Sequence, residues 1–522
     1  MLNYKPVVLV ILDGWGIGKT DNGNAIAHAN LPTIQKLNSY YPFLALQASG
    51  ISVGLPWGEE GNSEVGHITL GAGKIIYQNM PKITMAIQTG LFMTNPAFLK
   101  ATEHVKKNNS SLHLMGLVGK GGVHSYIDHL YALLDLMKTQ EVANVFLHIF
   151  TDGRDSAQDA DAEVLQELQK KLKEIGVGKI ATLCGRNFAM DRNNNWDRTA
   201  KAYNMLINGE GEKVTDPIYF LKNSYKKKVF DEYIEPTVLT ENGNPVATIK
   251  DSDAIIFFNF REDRARQITE AFVVQDFKNF ERKKIENLVF VAMTQYEKGL
   301  PAEIAFPPDE VGSSLGGVLS INNLAQYRIS ETEKFAHVTY FFNGGAEEAF
   351  PQEDREIIPS KVVDTFDKVP EMSAKEITEK VLIALAKDKY SFILINYANP
   401  DMVGHTANEE ATIKAVEFVD KCLSELIPAV LAKNGCLLIT ADHGNAEELA
   451  DPATSEKNTQ HSVNPVPCWF VAPDNHRLRQ IDKNLVASGL LSDIAPTVLE
   501  ILNIPKPPEM TGQSLLAEML TK

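Results

Sequence analysis

Short apolar runs, rich in β-branched residues and each leading into polar chemistry, constrain this chain more than any other feature. Val7–Leu12 runs straight into Asp13, 145–150 into Thr151 and Asp152, 392–395 into Asn396, and Cys436–Thr440 into Ala441 and Asp442. Similar runs occupy 254–258 and 288–292. They are too short for helices and lack polar alternation, as parallel strands buried on both faces do. Helical patterns lie between them at 160–175, 374–387 and 412–432. Strands alternating with helices predict an α/β fold with parallel sheets covered on both faces.

A length of 522 residues sets a prior of roughly three domains. No internal repeat or low-complexity tract divides the chain. The expected seams combine Gly or Pro with a change of texture, near Gly71-Ala72-Gly73-Lys74 and near Phe306-Pro307-Pro308-Asp309. They suggest a discontinuous domain of 1–76 and 311–522 with a second domain, 77–310, inserted. Fifty-one basic and 67 acidic side chains give a formal charge of −16. That excess excludes the basic face needed by a non-specific nucleic-acid or anionic-membrane binder. It leaves an anionic small molecule open, because a pocket's field is local.

Four scattered cysteines without a Cys-x-x-Cys pair fit a reducing compartment and neither a zinc finger nor a disulfide framework. Val7–Leu12 is too short for the apolar core of a signal peptide. No apolar stretch approaches the ~18 residues of a membrane span. The expectation is a soluble cytoplasmic protein, with monomer as the default.

Residues 13–20, Asp13-Gly14-Trp15-Gly16-Ile17-Gly18-Lys19-Thr20, nearly match a phosphate-binding P-loop. The pattern needs Gly where Asp13 stands. A carboxylate there repels phosphate and welcomes a metal ion, and the end of a buried strand is where open α/β sheets bind ligands. Two further strand ends carry ligand-type residues. Asp401 and His405 are four apart, sharing a face of one helical turn. Asp442 and His443 are adjacent and splay, which suits two neighbouring ions. His461 lies in another polar loop. Singly, such an Asp usually caps a helix and such a His is usually structural. Six together favour a metal site, and mixed imidazole and carboxylate donors favour Mn, Zn, Co or Fe over Ca or Mg. His67 and His337 read as structural.

Ser63, in Gly61-Asn62-Ser63-Glu64-Val65-Gly66-His67, falls at or near a helix start. It reads as an N-cap or as a serine activated by a metal; no G-x-S-x-G elbow is present. Arg154, Arg186, Arg192, Arg261 and Arg264 sit at or near strand ends among Gly and Asp, where bidentate clamps on phosphate or carboxylate form. His124 adds a possible polar contact.

These stretches, with Leu12-Asp13-Gly14-Trp15-Gly16, Thr151-Asp152-Gly153-Arg154-Asp155, 396–405 and Thr440-Ala441-Asp442-His443-Gly444-Asn445, together resemble cofactor-independent phosphoglycerate mutases of the alkaline phosphatase superfamily. The resemblance runs nearly the full length. It implies a bimetal phosphatase-like domain from both chain ends with an α/β transferase domain inserted. Matching motif positions, it implies one Mn²⁺ on Asp401, His405 and His461, and a second on Asp13, Ser63, Asp442 and His443. Ser63 is then the phosphorylated nucleophile and Lys334 lies near the transferred phosphoryl group. His124, Arg154, Asp155, Arg186, Arg192, Arg261 and Arg264 hold the substrate, phosphoglycerate. The chain departs from the family pattern at Gly119, Lys120, Tyr126 and Glu262, beside those positions.

The implied reaction interconverts 3-phosphoglycerate and 2-phosphoglycerate through a phosphoserine, with Asp155 exchanging protons with the glycerate hydroxyls. A phosphatase or phosphopentomutase-like enzyme of the same superfamily, and a catalytically inactive metal-binding scaffold, are the alternatives.

Overall fold

The computed structural model describes residues 4–20, 23–309, 311–451, 453–474 and 486–520. The chain divides into two compact units, one of Met1–Gln78 with Asp309–Lys522 and one of Asn79–Pro308.

Among the described residues, the discontinuous unit carries an eight-stranded sheet. Its spatial order is Glu353–Ile358, Gln326–Glu331, Phe392–Tyr397, Val7–Leu12, Cys436–Thr440, Val466–Val471, Phe43–Gln47 and Gly489–Leu490. All six side chains of Val7–Leu12 are buried, each worth about 2 kcal/mol of transfer from water. That strand pairs in parallel with Phe392–Tyr397 on one side and Cys436–Thr440 on the other. Leu12 lies opposite Tyr397, and Ile11 opposite Thr440. The three strands therefore end side by side, and Asp13, Asn396 and Asp442 leave the sheet at one edge.

The sheet is mixed, which corrects the expectation of wholly parallel sheets. Val466–Val471 runs antiparallel to both Cys436–Thr440 and Phe43–Gln47. The described residues between 441 and 465 form no helix, so nothing returns the chain to the starting edge as a parallel crossover must. The helix read at 412–432 spans Glu409–Ala432, with Asn408 capping it through Ala411 N–H. Its first turn is acidic, as suits a helix N-terminus, and so lay outside the apolar pattern.

The inserted unit has its own sheet. Its order is Glu303–Phe306, Val289–Thr294, Ala254–Phe257, Leu112–Leu117, Val145–Thr151, Lys179–Gly185, Thr237–Glu241 and Glu212–Val214, with Asn244–Pro245 paired to Thr237–Glu241. Thr237–Glu241 runs antiparallel to Lys179–Gly185, while the strands from Glu303–Phe306 to Lys179–Gly185 are all parallel. The loops leaving the carboxyl ends of the central strands carry His124, Arg154 and Arg261, and Arg186 opens the short helix Arg186–Ala189 directly after Lys179–Gly185. Among the described residues, no helix is long and apolar enough to cross a membrane.

Candidate active site

Ser63 opens the helix Ser63–Ala72, but it does not cap it. Asn62 does, its Oδ1 accepting from Val65 N–H at 3.0 Å. The buried Ser63 hydroxyl is free for other partners. Lys334 Nζ lies 2.6 Å from its Oγ and His443 Nε2 lies 2.9 Å away. Asp13 Oδ1 is 3.3 Å away. One turn along the helix, Gly66 packs against the Asp442 backbone, where a Cβ would fall 2.8 Å from the carbonyl oxygen. That contact brings the serine turn close to the end of Cys436–Thr440.

Lys334 is itself buried, 2.7 Å from Asp13 Oδ1 and 2.7 Å from Asp401 Oδ2. Burial alone would lower its pKa, yet Asp13, Asp401 and Asp442 hold it above the usual range. Burial pushes the three carboxyls up. Lys334 with His405 and His461 brings Asp401 well below its ordinary value, and His443 and His67 do the same for Asp442. Asp13, with Asp442 as its next strongest influence after burial, stays raised.

The imidazoles close the cluster. His405 Nε2 and His461 Nε2 stand 3.2 and 3.3 Å from Asp401 Oδ1 and 3.1 Å from each other. The His443 and His461 rings stack with centroids 3.9 Å apart. Among the described residues, two groups have ligand atoms close enough to share an ion: Asp401 with His443 and His461, and Asp13 with His67 and Asp442. This partition differs from the expected one: His443 faces both groups, His405 falls outside the first and His67 enters the second. His443 Nε2 is 3.5 Å from Asp13 Oδ1 as well.

The donor set fits divalent cations on an observation independent of that partition. Three almost wholly buried carboxyl groups face one buried ammonium with imidazoles beside them, a mixed donor set of the kind divalent transition metals take. Asp442 Oδ2 accepts no well-directed hydrogen bond, although His67 Nδ1 lies 3.1 Å away.

Sequence reasoning missed three supporting groups. His67 Nδ1 lies 2.8 Å from Ser63 O, and its Nε2 lies 3.1 Å from Asn396 Nδ2. Asn396 Nδ2 also donates to Asp13 Oδ2 at 2.7 Å, and Asn445 Nδ2 donates to Asp401 Oδ1 at 3.0 Å. Both asparagines lie inside the motifs that were read. Their position at or just past a buried strand end was the available signal.

In the inserted unit, buried Arg186 donates from Nη1 to Asp152 Oδ1 and Asp155 Oδ2, both at 2.5 Å. Burial would raise the Asp152 pKa, but hydrogen bonds from Asp155 N–H and Arg186 hold it low. His124 lies 3.8 Å from Asp155 and 3.7 Å from Asp263. Burial, and then Arg186, push its pKa down to about 4, so it is neutral at physiological pH. Arg192 and Arg261 share Asp263 at 2.6 and 3.1 Å. Burial first, then Arg186, Arg192 and Arg154, depress the pKa of Arg264, whose Nη1 donates to Met190 O at 3.1 Å. Arg154 is the most exposed of the five and meets Glu232 at 3.4 Å. Asp152 and Asp263 were not singled out from the sequence. Of the departures from the family pattern, Lys120 forms an exposed pair with Glu167.

Fold and site together fit a phosphoryl-transfer enzyme. Residues 83–298 match the sequence profile described as BPG-independent PGAM N-terminus, and residues 255–466 that of type I phosphodiesterase / nucleotide pyrophosphatase. A 2,3-bisphosphoglycerate-independent phosphoglycerate mutase of Clostridium perfringens is 50% identical over 516 residues, covering 99% of this chain and 100% of its own. One from Chloroflexus aggregans is 48% identical over 542 residues, covering 100% of both. The phosphoglycerate mutase of Leishmania mexicana, solved at low cobalt concentration, is 30% identical with a TM-score of 0.52 over 98% of each chain. The chain belongs to the 2,3-bisphosphoglycerate-independent phosphoglycerate mutase family.

Proposed function

We propose that this chain interconverts 3-phosphoglycerate and 2-phosphoglycerate through a phosphoserine on Ser63, without added bisphosphoglycerate. The observation that carries the reading is the uncapped, buried Ser63 hydroxyl, 2.6 Å from the Lys334 ammonium. Asp401, His405 and His461 would hold one divalent ion, and Asp13, Ser63, Asp442 and His443 the other. When bound, such ions, for which Mn²⁺ suits the mixed donors, polarise phosphoryl oxygens and lower the pKa of a ligating hydroxyl.

Ser63 Oγ, its proton released to water before substrate enters, attacks the phosphorus; the Oγ–P bond forms as the bond from phosphorus to the glycerate oxygen breaks. Lys334 offsets the charge spreading over the phosphoryl oxygens, the kind of fixed charge that contributes most to phosphoryl transfer. The departing glycerate oxygen takes a proton, and the neighbouring hydroxyl gives one up before it reclaims the phosphoryl group. Asp155 carries out this exchange. Arg154, Arg186, Arg192, Arg261 and Arg264, with His124, keep glycerate by its carboxylate between the half-reactions. A plain phosphatase has no need of such a clamp.

In this reading the discontinuous unit is the metal-binding, phosphatase-like domain and Asn79–Pro308 the substrate-binding domain. The four free cysteines are buried, as suits a reducing cytoplasm, and a monomer with no nucleic-acid or membrane partner is the simplest assembly. The deciding experiment supplies the purified, Mn²⁺-loaded chain with 3-phosphoglycerate alone. Formation of 2-phosphoglycerate supports the mutase; stoichiometric release of inorganic phosphate identifies a phosphatase instead.

A further inference from the structure

The glycine-rich turn after Asp13, which nearly matches a phosphate-binding loop, does cradle an anion, but one supplied by the chain itself. Buried Glu447 takes Gly16 N–H on Oε2 at 2.9 Å. The same oxygen accepts from Asn445 N–H at 2.9 Å. Its Oε1 accepts from the Ser462 hydroxyl and, at 3.0 Å, from Asn464 Nδ2. The turn has room for the carboxylate only because Gly16 lacks a side chain: a Cβ there would fall 2.2 Å from Glu447 Cδ.

These four donors come from three separate loops. Gly16 lies three residues after Asp13, Asn445 two after His443, and Ser462 directly after His461. We propose that Glu447 is a positioning residue that locks the Asp13, Asp442–His443 and His461 loops in the register the two-ion site requires. It touches neither the proposed ions nor substrate; it acts through the loops that bear the ligands. A charged acceptor for two backbone N–H groups makes hydrogen bonds about twice as strong as neutral ones. Outer partners of this kind typically change metal affinity 10- to 100-fold when lost. The inference rests on the two-ion reading of the site.

The test uses the full chain, stripped with chelator and titrated with Mn²⁺ by calorimetry, alongside thermal unfolding of the apo protein. Glu447→Ala is expected to bind Mn²⁺ about 10- to 100-fold more weakly. A role in stability alone would lower the apo unfolding temperature and leave the Mn²⁺ dissociation constant unchanged, and that result overturns the proposal. Gly16→Ala displaces the carboxylate without removing it and covers the case in which Glu447→Ala does not fold. It is expected to weaken Mn²⁺ binding similarly, and wild-type affinity in this variant also overturns the proposal. In the double variant the added methyl has space, so the effect of Gly16→Ala should nearly vanish; additive losses count against the assignment. A wild-type chain that binds no Mn²⁺ would instead refute the two-ion reading on which the inference stands.

Discussion

Lys334 Nζ stands 2.6 Å from Ser63 Oγ and 2.7 Å from both Asp13 Oδ1 and Asp401 Oδ2. One ammonium thus links the proposed nucleophile to an aspartate of each proposed ligand set. Its replacement should act on stability and catalysis in different ways. Lys334→Met leaves three buried carboxylates without a cation, a loss of roughly 3–5 kcal/mol by analogy with broken buried pairs. Urea unfolding of the metal-free variant should show that loss, and saturating Mn²⁺ should return most of it. Activity should stay down by about 100-fold or more even with Mn²⁺. Recovery of activity together with stability would reduce Lys334 to a structural counter-charge.

Ser63→Ala removes the attacking oxygen while Asn62 still caps the helix. Mutase activity should disappear while the fold persists, with stability lower by about 1–3 kcal/mol because Lys334 and His443 lose a buried hydrogen-bond partner. Circular dichroism and a coupled assay on the same sample check both halves. A folded, active variant would reject the nucleophile.

Arg186 presents one guanidinium nitrogen to two aspartates. Lysine has neither the planar fork nor the reach to keep that geometry. Arg186→Lys should therefore raise KM for 3-phosphoglycerate and lower kcat/KM by about 10- to 100-fold, the equivalent of about 1.5–3 kcal/mol for a charged hydrogen bond. An unchanged KM would remove Arg186 from substrate recognition.

His129 in the inserted unit is fully buried, with Nε2 3.0 Å from Thr84 Oγ1. Burial pushes its pKa down from 6.5 to about 4. A histidine depressed in the folded state binds its proton more readily when unfolded. Its stabilisation is present above pH 6.5 and is lost as pH falls towards 4. The linkage amounts to about 2 kcal/mol between about pH 7.5 and about pH 5. Urea titrations of wild type and His129→Leu should diverge by about 2 kcal/mol across that pH interval. Parallel curves would mean that His129 does not titrate as its burial implies.

Strand ends were the legible part of this chain. Val7–Leu12 and Cys436–Thr440 stand where an uninterrupted apolar run puts them, and the polar residues beyond them converge as open α/β sheets require. Gln326–Glu331 was illegible because four of its six side chains are polar or charged, although all six are buried. Arg328 lies over the Phe342 ring at 4.5 Å and the Phe392 ring at 5.4 Å, while its Nη2 donates to Gln326 Oε1 at 2.5 Å. Aromatic faces and a neighbouring amide make that strand compatible with a core, and no periodicity records such partners. In the site, the residues that could ligate a metal declared themselves by type, except His67, which its sequence setting marks only as structural. Asn396, Asn445 and Asp152 did not, since their importance lies in what they hold rather than in what they are.

The pairing of Val7 with Phe392 also sets an order of events on the ribosome. Val7–Leu12 emerges well before its parallel neighbours, which lie about 385 and about 430 residues further along the sequence. At ~5–20 residues per second, that wholly apolar strand waits roughly 20–80 s for the segments that cover it. The strands of the inserted unit all emerge within that interval, and that unit can finish folding while the strand before it is still unpaired. The steps most open to misassociation therefore belong to the unit whose paired strands leave the ribosome furthest apart in time.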